Sequence, residues 1–287
     1  MFVSNTTQLR MEQYCESTVW TYELLDWINP KKVNWMFLSE NPNAIHLLEE
    51  NLEKINWSFL SRNPNAIHLL EENPEKINRV FMLSENPNAI QLLEKNPEKI
   101  NWCNLSLNPN AIHLLKKNPE KIVWCNLSLN PNAIDLLEKN PEKINWCNLS
   151  QNPNAIDLLE KNLDKVNWFW LSANPNAIQL LEKNPEKIKW CWLSRNPNAI
   201  HLLEKNPEKI DWYELNKNSN AMHLLEKNQE EIDWDFLSLN PSIFKKMINY
   251  KYLHQRMNMI REELMINSMH PKRLERWLEM GGEIDDF

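Results

Sequence analysis

The chain has 287 residues, 42% of them hydrophobic, and a formal net charge of −7. That is enough apolar material for one large core or two ordinary ones, while the acidic balance argues against a nucleic-acid-binding surface, which Lys and Arg charge would drive. Only two glycines occur, Gly281 and Gly282, so phosphate-cradling loops and dinucleotide fingerprints built on glycine-rich turns are excluded.

The opening stretch, MFVSNTTQLRMEQYCESTVW, has no apolar run of signal-peptide length. No later segment approaches the roughly 20 apolar residues of a membrane span, so an intracellular protein that is not secreted is expected. Residues 22–30, YELLDWINP, read as a divergent first helix, and residues 1–29 as an N-terminal capping segment.

From residue 30 to 240 the chain repeats itself. Asn-Pro-Asn-Ala-Ile stands at 41–45 and recurs from 63, 86, 108, 130, 152, 174 and 196, with Ser219 and Pro241 continuing the proline ladder. A parallel ladder runs through Trp35, Trp57, Trp102, Trp124, Trp146, Trp168, Trp190, Trp212 and Trp234, with Arg79 or Val80 at the missing rung in INRVFML. Each unit of about 22 residues reads roughly NPNAIxLLEKNPEKINWxxLSx. Proline is tolerated at the first helical position and imposes extended geometry on the residue before it. An asparagine there is a good N-cap, so a helix is predicted to start at each Asn-Pro, two per repeat and two to three turns long.

In the first helix, Ala44, Ile45, Leu47 and Leu48 share one arc and His46, Glu49 and Glu50 the opposite one. In the second, Ile55, Trp57, Phe59 and Leu60 spread more widely, with Asn56 among them and no clear reason for its place. One such unit is too small to fold alone, so neighbours must stack. The predicted fold is all-α: an α-solenoid of about ten 22-residue two-helix repeats, drawn out as a rod of about 90 Å at the usual 8–10 Å helix spacing. A bend is expected at INRVFML. The alternative is a leucine-rich-repeat-like solenoid, for which LSLN at Leu105, Leu127 and Leu237 speaks. Against it, Glu40, Arg62, Glu85, Gln151, Ala173, Arg195 and Lys217 stand where its second leucine should be.

Residues 241–287 read as a helical C-terminal cap: a long helical stretch from SIFKKMINYKY onward, a new helix at Pro271, a stop at Gly281-Gly282 and the acidic tail EIDDF.

The repeat unit resembles the short tandem repeats of proteins from large DNA viruses of amoebae and algae, relatives of mimiviruses and chloroviruses. The ending ELMINSMHPKRLERWLEMGGEIDDF is similar to C-terminal segments of such proteins. The resemblance covers about residues 30–287. It implies a viral origin and a repeat fold, with the protein in the host cytoplasm or the virion, and no particular biochemical activity.

The slot after each NPNAI is free to change and holds His46, His68, Gln91, His113, Asp135, Asp157, Gln179, His201 and His223. These are the candidate partner-facing residues, set against the plainer reading of a solvated stripe. A metal role is rejected, because rungs about 10 Å apart cannot place ligands about 2 Å from one ion. Cys103, Cys125, Cys147 and Cys191 share one slot, too far apart for disulfides, and are expected as small packed thiols. The next slot, Phe37, Phe59, Asn104, Asn126, Asn148, Trp170, Trp192, Glu214 and Phe236, marks either a partner-facing surface or an asparagine hydrogen-bond ladder in three central units.

No catalytic grouping stands apart from the repeat register, and no cofactor is implied. The expectation is a non-enzymatic scaffold mediating protein–protein interaction, with a protein partner and no membrane. A structural or assembly component of a virion is the alternative. An RNA-binding helical repeat ranks third, because it needs a basic or stacking face that the net charge does not favour.

Overall fold

The computed structural model describes residues 19–77, 80–268, 275–276 and 279. It divides into two units, residues 24–244 and residues 1–23 with 245–287.

In the larger unit the repeats share one plan, which the repeat beginning at Asn130 illustrates, although those beginning at Asn63, Asn152 and Asn218 replace its first 3-10 turn with a plain turn. Pro131–Ala133 makes a 3-10 turn that runs into the helix Ile134–Glu138. Pro141–Lys143 makes a second 3-10 turn, and a one-turn helix follows at Trp146–Leu149. Ala133, Leu137 and Leu149 are fully buried, and their counterparts in the other repeats form the continuous core. The α-solenoid of 22-residue repeats is thus observed, and among the described residues no repeat contains a strand, which removes the leucine-rich-repeat alternative.

The second helix departs from expectation. It does not run through Ile-Asn-Trp: Ile144 (φ −66°, ψ 126°) and Asn145 (φ −89°, ψ 101°) are extended and divide it in two. This explains the Asn56 slot. Its side chain caps the new helix, as Asn145 Oδ1 does by accepting from the Asn148 N–H at 3.0 Å. Asp211 and Asp233 cap in the same way, whereas Val123 and Lys189 provide no side-chain cap.

The two Asn-Pro joints also differ from each other. At NPNAI the asparagine is an N-cap as predicted: Asn130 Oδ1 accepts from the Asn132 N–H at 3.0 Å. At NPEK it is not, since Asn140 lies at φ −135°, ψ 59° and makes no N-cap bond. Its amide instead donates to the Leu136 carbonyl four residues back at 2.9 Å, finishing the preceding helix.

Neighbouring repeats are joined by a repeated set of polar bonds. The Asn130 amide, fully buried, donates to the Ser106 carbonyl at 3.1 Å and the Asn108 carbonyl at 2.8 Å of the repeat before it. Asn132 donates to the Pro109 carbonyl at 2.9 Å. The Ser128 hydroxyl donates to the Trp124 carbonyl at 2.8 Å and accepts from the Asn145 N–H of the next repeat at 3.0 Å. Asn216 stands in the serine slot and does both jobs, donating to the Trp212 carbonyl and accepting from the Asp233 N–H.

The same bonds join the last repeat to the first. Asn41 donates to the Ser238 and Asn240 carbonyls at 2.9 and 3.0 Å, Asn43 to the Pro241 carbonyl at 2.9 Å, and the Asn34 N–H to the Ser238 hydroxyl at 2.9 Å. Lys32 sits over the Trp234 ring at 5.0 Å, as Lys54 sits over Trp35 at 4.5 Å. The array therefore closes on itself as a ring of ten repeats. The expected open rod is corrected on this point, because each joint turns the next repeat in the same sense until repeat ten reaches repeat one.

In the smaller unit, Trp20–Leu24 (β1) and Phe244–Ile248 (β2), each reaching one residue into the larger unit, form a two-stranded sheet. The helix Tyr250–Ser268 follows. YELLDWINP thus opens as strand rather than helix, and the long C-terminal helix starts after β2. The expectations at residues 1–18, at Asn78 and Arg79 within INRVFML, and at Pro271, Gly281-Gly282 and EIDDF lie outside the described residues. No helix among the described residues is long and apolar enough to cross a membrane.

Candidate protein-interaction face

The predicted partner-facing stripe lies on the first helix of each repeat. Gln91, His113, Asp135, Asp157, Gln179, His201 and His223 are exposed, and His46 and His68 are half-buried. Most of its histidines are engaged with the neighbouring repeat. His68 Nε2 lies 2.8 Å from Glu49, His113 3.1 Å from Glu94, His201 3.0 Å from Glu182 and His223 2.9 Å from Glu204. His46 pairs at 3.4 Å with Glu49 of its own helix. The histidines are thus clasps between repeats rather than a free row. Hydrogen bonds from His46 and His68 hold the Glu49 carboxyl down at about 2, and the Glu49 hydrogen bond raises His68 above its ordinary value. His223 also lines an open groove of about 660 Å³ with Leu25, Asp26, Trp27, Met222 and Glu226.

A second set of clasps lies in the slot that follows each Leu-Ser. Arg62 reaches Glu40 at 3.7 Å and Glu85 at 3.1 Å, tying three successive repeats. Burial raises the Glu40 carboxyl above its ordinary value, against the Arg62 charge that lowers it.

The one-turn tryptophan helices present the other variable face. Cys103, Cys125, Cys147 and Cys191 are exposed there, which corrects their expected packing: a one-turn helix has too little length to cover its outward residue. Met36, Phe169 and Tyr213 occupy the same slot in other repeats and are exposed as well, Tyr213 at 51%. In the adjacent slot the asparagine ladder is real. Asn126 donates to the Cys103 carbonyl at 2.9 Å and Asn148 to the Cys125 carbonyl at 2.8 Å.

Beyond these asparagines the slot turns aromatic. Trp170 and Trp192 meet at 4.4 Å between ring centroids, with Phe169 4.9 Å from Trp192. Phe236, Phe37 and Phe59 continue across the closing joint at 6.1 and 5.5 Å, and Tyr213 lies 4.7 Å from Phe236.

Between these aromatic groups stands Glu214, buried to 7% exposure in a slot otherwise filled by rings, amides and Met82. Its Oε1 pairs with Lys217 at 2.9 Å, while its Oε2, also buried, has no hydrogen-bond partner. The Lys217 ammonium sits 4.0 Å from the Phe236 ring centroid and 4.7 Å from that of Tyr213. The neighbourhood is acidic, because Asp211 and Asp233 replace the usual asparagine caps and Asp235 replaces the cysteine. Desolvation, then the charges of Asp233 and Glu214, raises the Tyr213 hydroxyl. Desolvation, then the Asp211 hydrogen bond, pushes the Cys191 thiol up to about 11, so it is no activated nucleophile.

The sequence alone gives no site role to Asp211, Tyr213, Lys217, Asp233 and Asp235. The available signal was the density of departures from the repeat in DWYELNKNSN, residues 211–220. Among the described residues, no three His, Cys, Asp or Glu side chains are grouped to hold a metal. Compared with known family models, curated proteins and solved structures, the chain has no match.

Proposed function

We propose that the chain is a non-enzymatic repeat scaffold that binds another protein, encoded by a large DNA virus and acting inside the host cell. One observation carries the binding part. The frame bonds repeat with little change from joint to joint, while the exposed side chains on the tryptophan helices change from repeat to repeat and include Phe169 at 44% and Tyr213 at 51% exposure. Exposed rings grouped with half-buried ones are the composition of interface centres. The viral part rests on the resemblance of the repeat unit alone.

The test is quantitative affinity capture from cells expressing the chain, comparing it with Phe169→Ser, Tyr213→Ser and the clasp variant His113→Gln. A partner lost with the two aromatic substitutions and kept with His113→Gln is expected. Equal recovery with all three sinks the reading.

A further inference from the structure

We infer that the surface around Glu214 is a docking site for a basic segment of the partner protein, whose Lys or Arg side chain takes the position that Lys217 fills in the unbound chain. The inference rests on the scaffold reading and names the chemistry of its partner.

Three independent observations converge on this place. First, Glu214 keeps one buried carboxylate oxygen without a hydrogen bond, and such an atom is costly unless a donor comes to it. Second, the rings of Phe236 and Tyr213 already hold an ammonium within cation–π distance, so the geometry for a cation is built and occupied from within. Third, the charge is one-sided: Asp211, Glu214, Asp233 and Asp235 stand in adjoining slots of two neighbouring repeats, where Lys217 pairs with Glu214 and Asp235 accepts from the Asn34 amide at 2.7 Å. Two of the carboxylates also fill a role that asparagine fills in other repeats. The cap at Asp211 and Asp233 is filled by asparagine at Asn34, Asn56, Asn101, Asn145 and Asn167, each of which caps its helix as well. An aspartate there adds charge without adding a bond.

A guanidinium suits the site better than a second ammonium. It stacks on aromatic faces while its planar fork donates to two oxygens at once, and Lys217 satisfies only one of the two on Glu214. Once displaced, Lys217 swings to solvent, where its charge is hydrated.

Fluorescence anisotropy of the purified full chain with a labelled Arg-Ser repeat peptide tests the inference, with a Glu-Ser repeat peptide as the opposite charge. The triple variant Asp211→Asn, Asp233→Asn and Asp235→Asn keeps the caps and should weaken the Arg-Ser peptide at least tenfold. The paired variant Glu214→Gln with Lys217→Met should weaken it similarly, with melting curves reporting that both variants are folded. A control removing three exposed carboxylates elsewhere, Asp164→Asn, Glu186→Gln and Glu208→Gln, should leave affinity within twofold. Absence of binding to the unaltered chain, retention in the triple variant, or equal weakening in the control overturns the inference. Should a captured partner be lost with Tyr213→Ser yet kept by the triple variant, the basic-segment inference falls and the scaffold reading stands.

Discussion

Asn41 and Ser238 are 197 residues apart, yet the Asn41 amide donates to the Ser238 carbonyl at 2.9 Å, the bond that Asn63 makes to Ser39 at 3.1 Å one repeat along. The joint between last and first repeat is built like an interior joint, so it should be worth as much. Asn130→Ala removes a cap and the amide donor to the buried Ser106 carbonyl, while the Asn108 carbonyl keeps its bond from the Ala111 N–H at 3.1 Å; the loss should be about 2 kcal/mol. Asn41→Ala should cost about the same. Chemical denaturation of both variants checks this, and a much smaller effect at Asn41 would mean an array that opens at that joint.

The cap slot before each tryptophan offers a gain. Val123 is half-buried and makes no side-chain cap, while Asn145 in the next repeat does. Val123→Asn should stabilise the fold by about 1 kcal/mol, read as a rise in melting temperature; a fall would show that the valine methyls matter more than the orphan N–H.

Trp146 is half-buried rather than enclosed, with Lys165 over its ring at 4.6 Å. Trp146→Ala should therefore cost about 2 kcal/mol, below the 3–5 of a fully buried ring. Lys165→Ala should recover under 1 kcal/mol of that in a double-mutant cycle.

The Glu49 clasp carries a pH signature. Glu49 has its pKa lowered from 4.5 to about 2, so its contribution is present above 4.5 and is lost as pH falls toward 2. His68 is raised from 6.5, so its contribution is full below 6.5 and is lost as pH rises through its folded value. The stability difference between the unaltered chain and His68→Gln should peak between about pH 4.5 and 6.5 and shrink on both sides. Both side chains are about a third exposed, so the peak should stay below about 1 kcal/mol. Denaturation midpoints across pH 3–9 would measure it, and a flat difference would remove the clasp from the stability of the ring.

Much of the fold was legible in residue spacing, because Asn-Pro sets both a cap and a helix start within three residues. What escaped was the second use of the same asparagine. An N-cap tolerates Ser, Thr or Asp, yet the slot holds Asn at 41, 63, 86, 108, 130, 152, 174, 196, 218 and 240. Such strictness points to a side chain that accepts and donates at once, and aspartate or serine could not reach two carbonyls of the previous repeat. Closure itself left no local mark, since it depends on the small rotation each joint adds, and no residue encodes that alone. The histidine stripe is legible on the outward arc of the first helix, but the pattern does not show that Glu49, Glu94, Glu182 and Glu204 each hold the histidine of the next repeat. At the aromatic face the ladder slot is legible as variable, whereas the acidic caps around Glu214 gain meaning only beside its buried, unpaired oxygen.

Ring closure also sets the order in which the molecule can be assembled. Nine joints connect residues some 22 to 25 positions apart and can form as each repeat is finished, whereas the tenth links Asn41 to Ser238 across 197. For a loose chain that longer loop costs only about 2 kcal/mol more to close, because the entropy grows with the logarithm of length. Once nine joints are in place, the partners of the tenth already stand side by side and almost none of that cost remains. The last contact to form is thus among the least expensive in entropy, and breaking it first does not free any repeat from both of its neighbours.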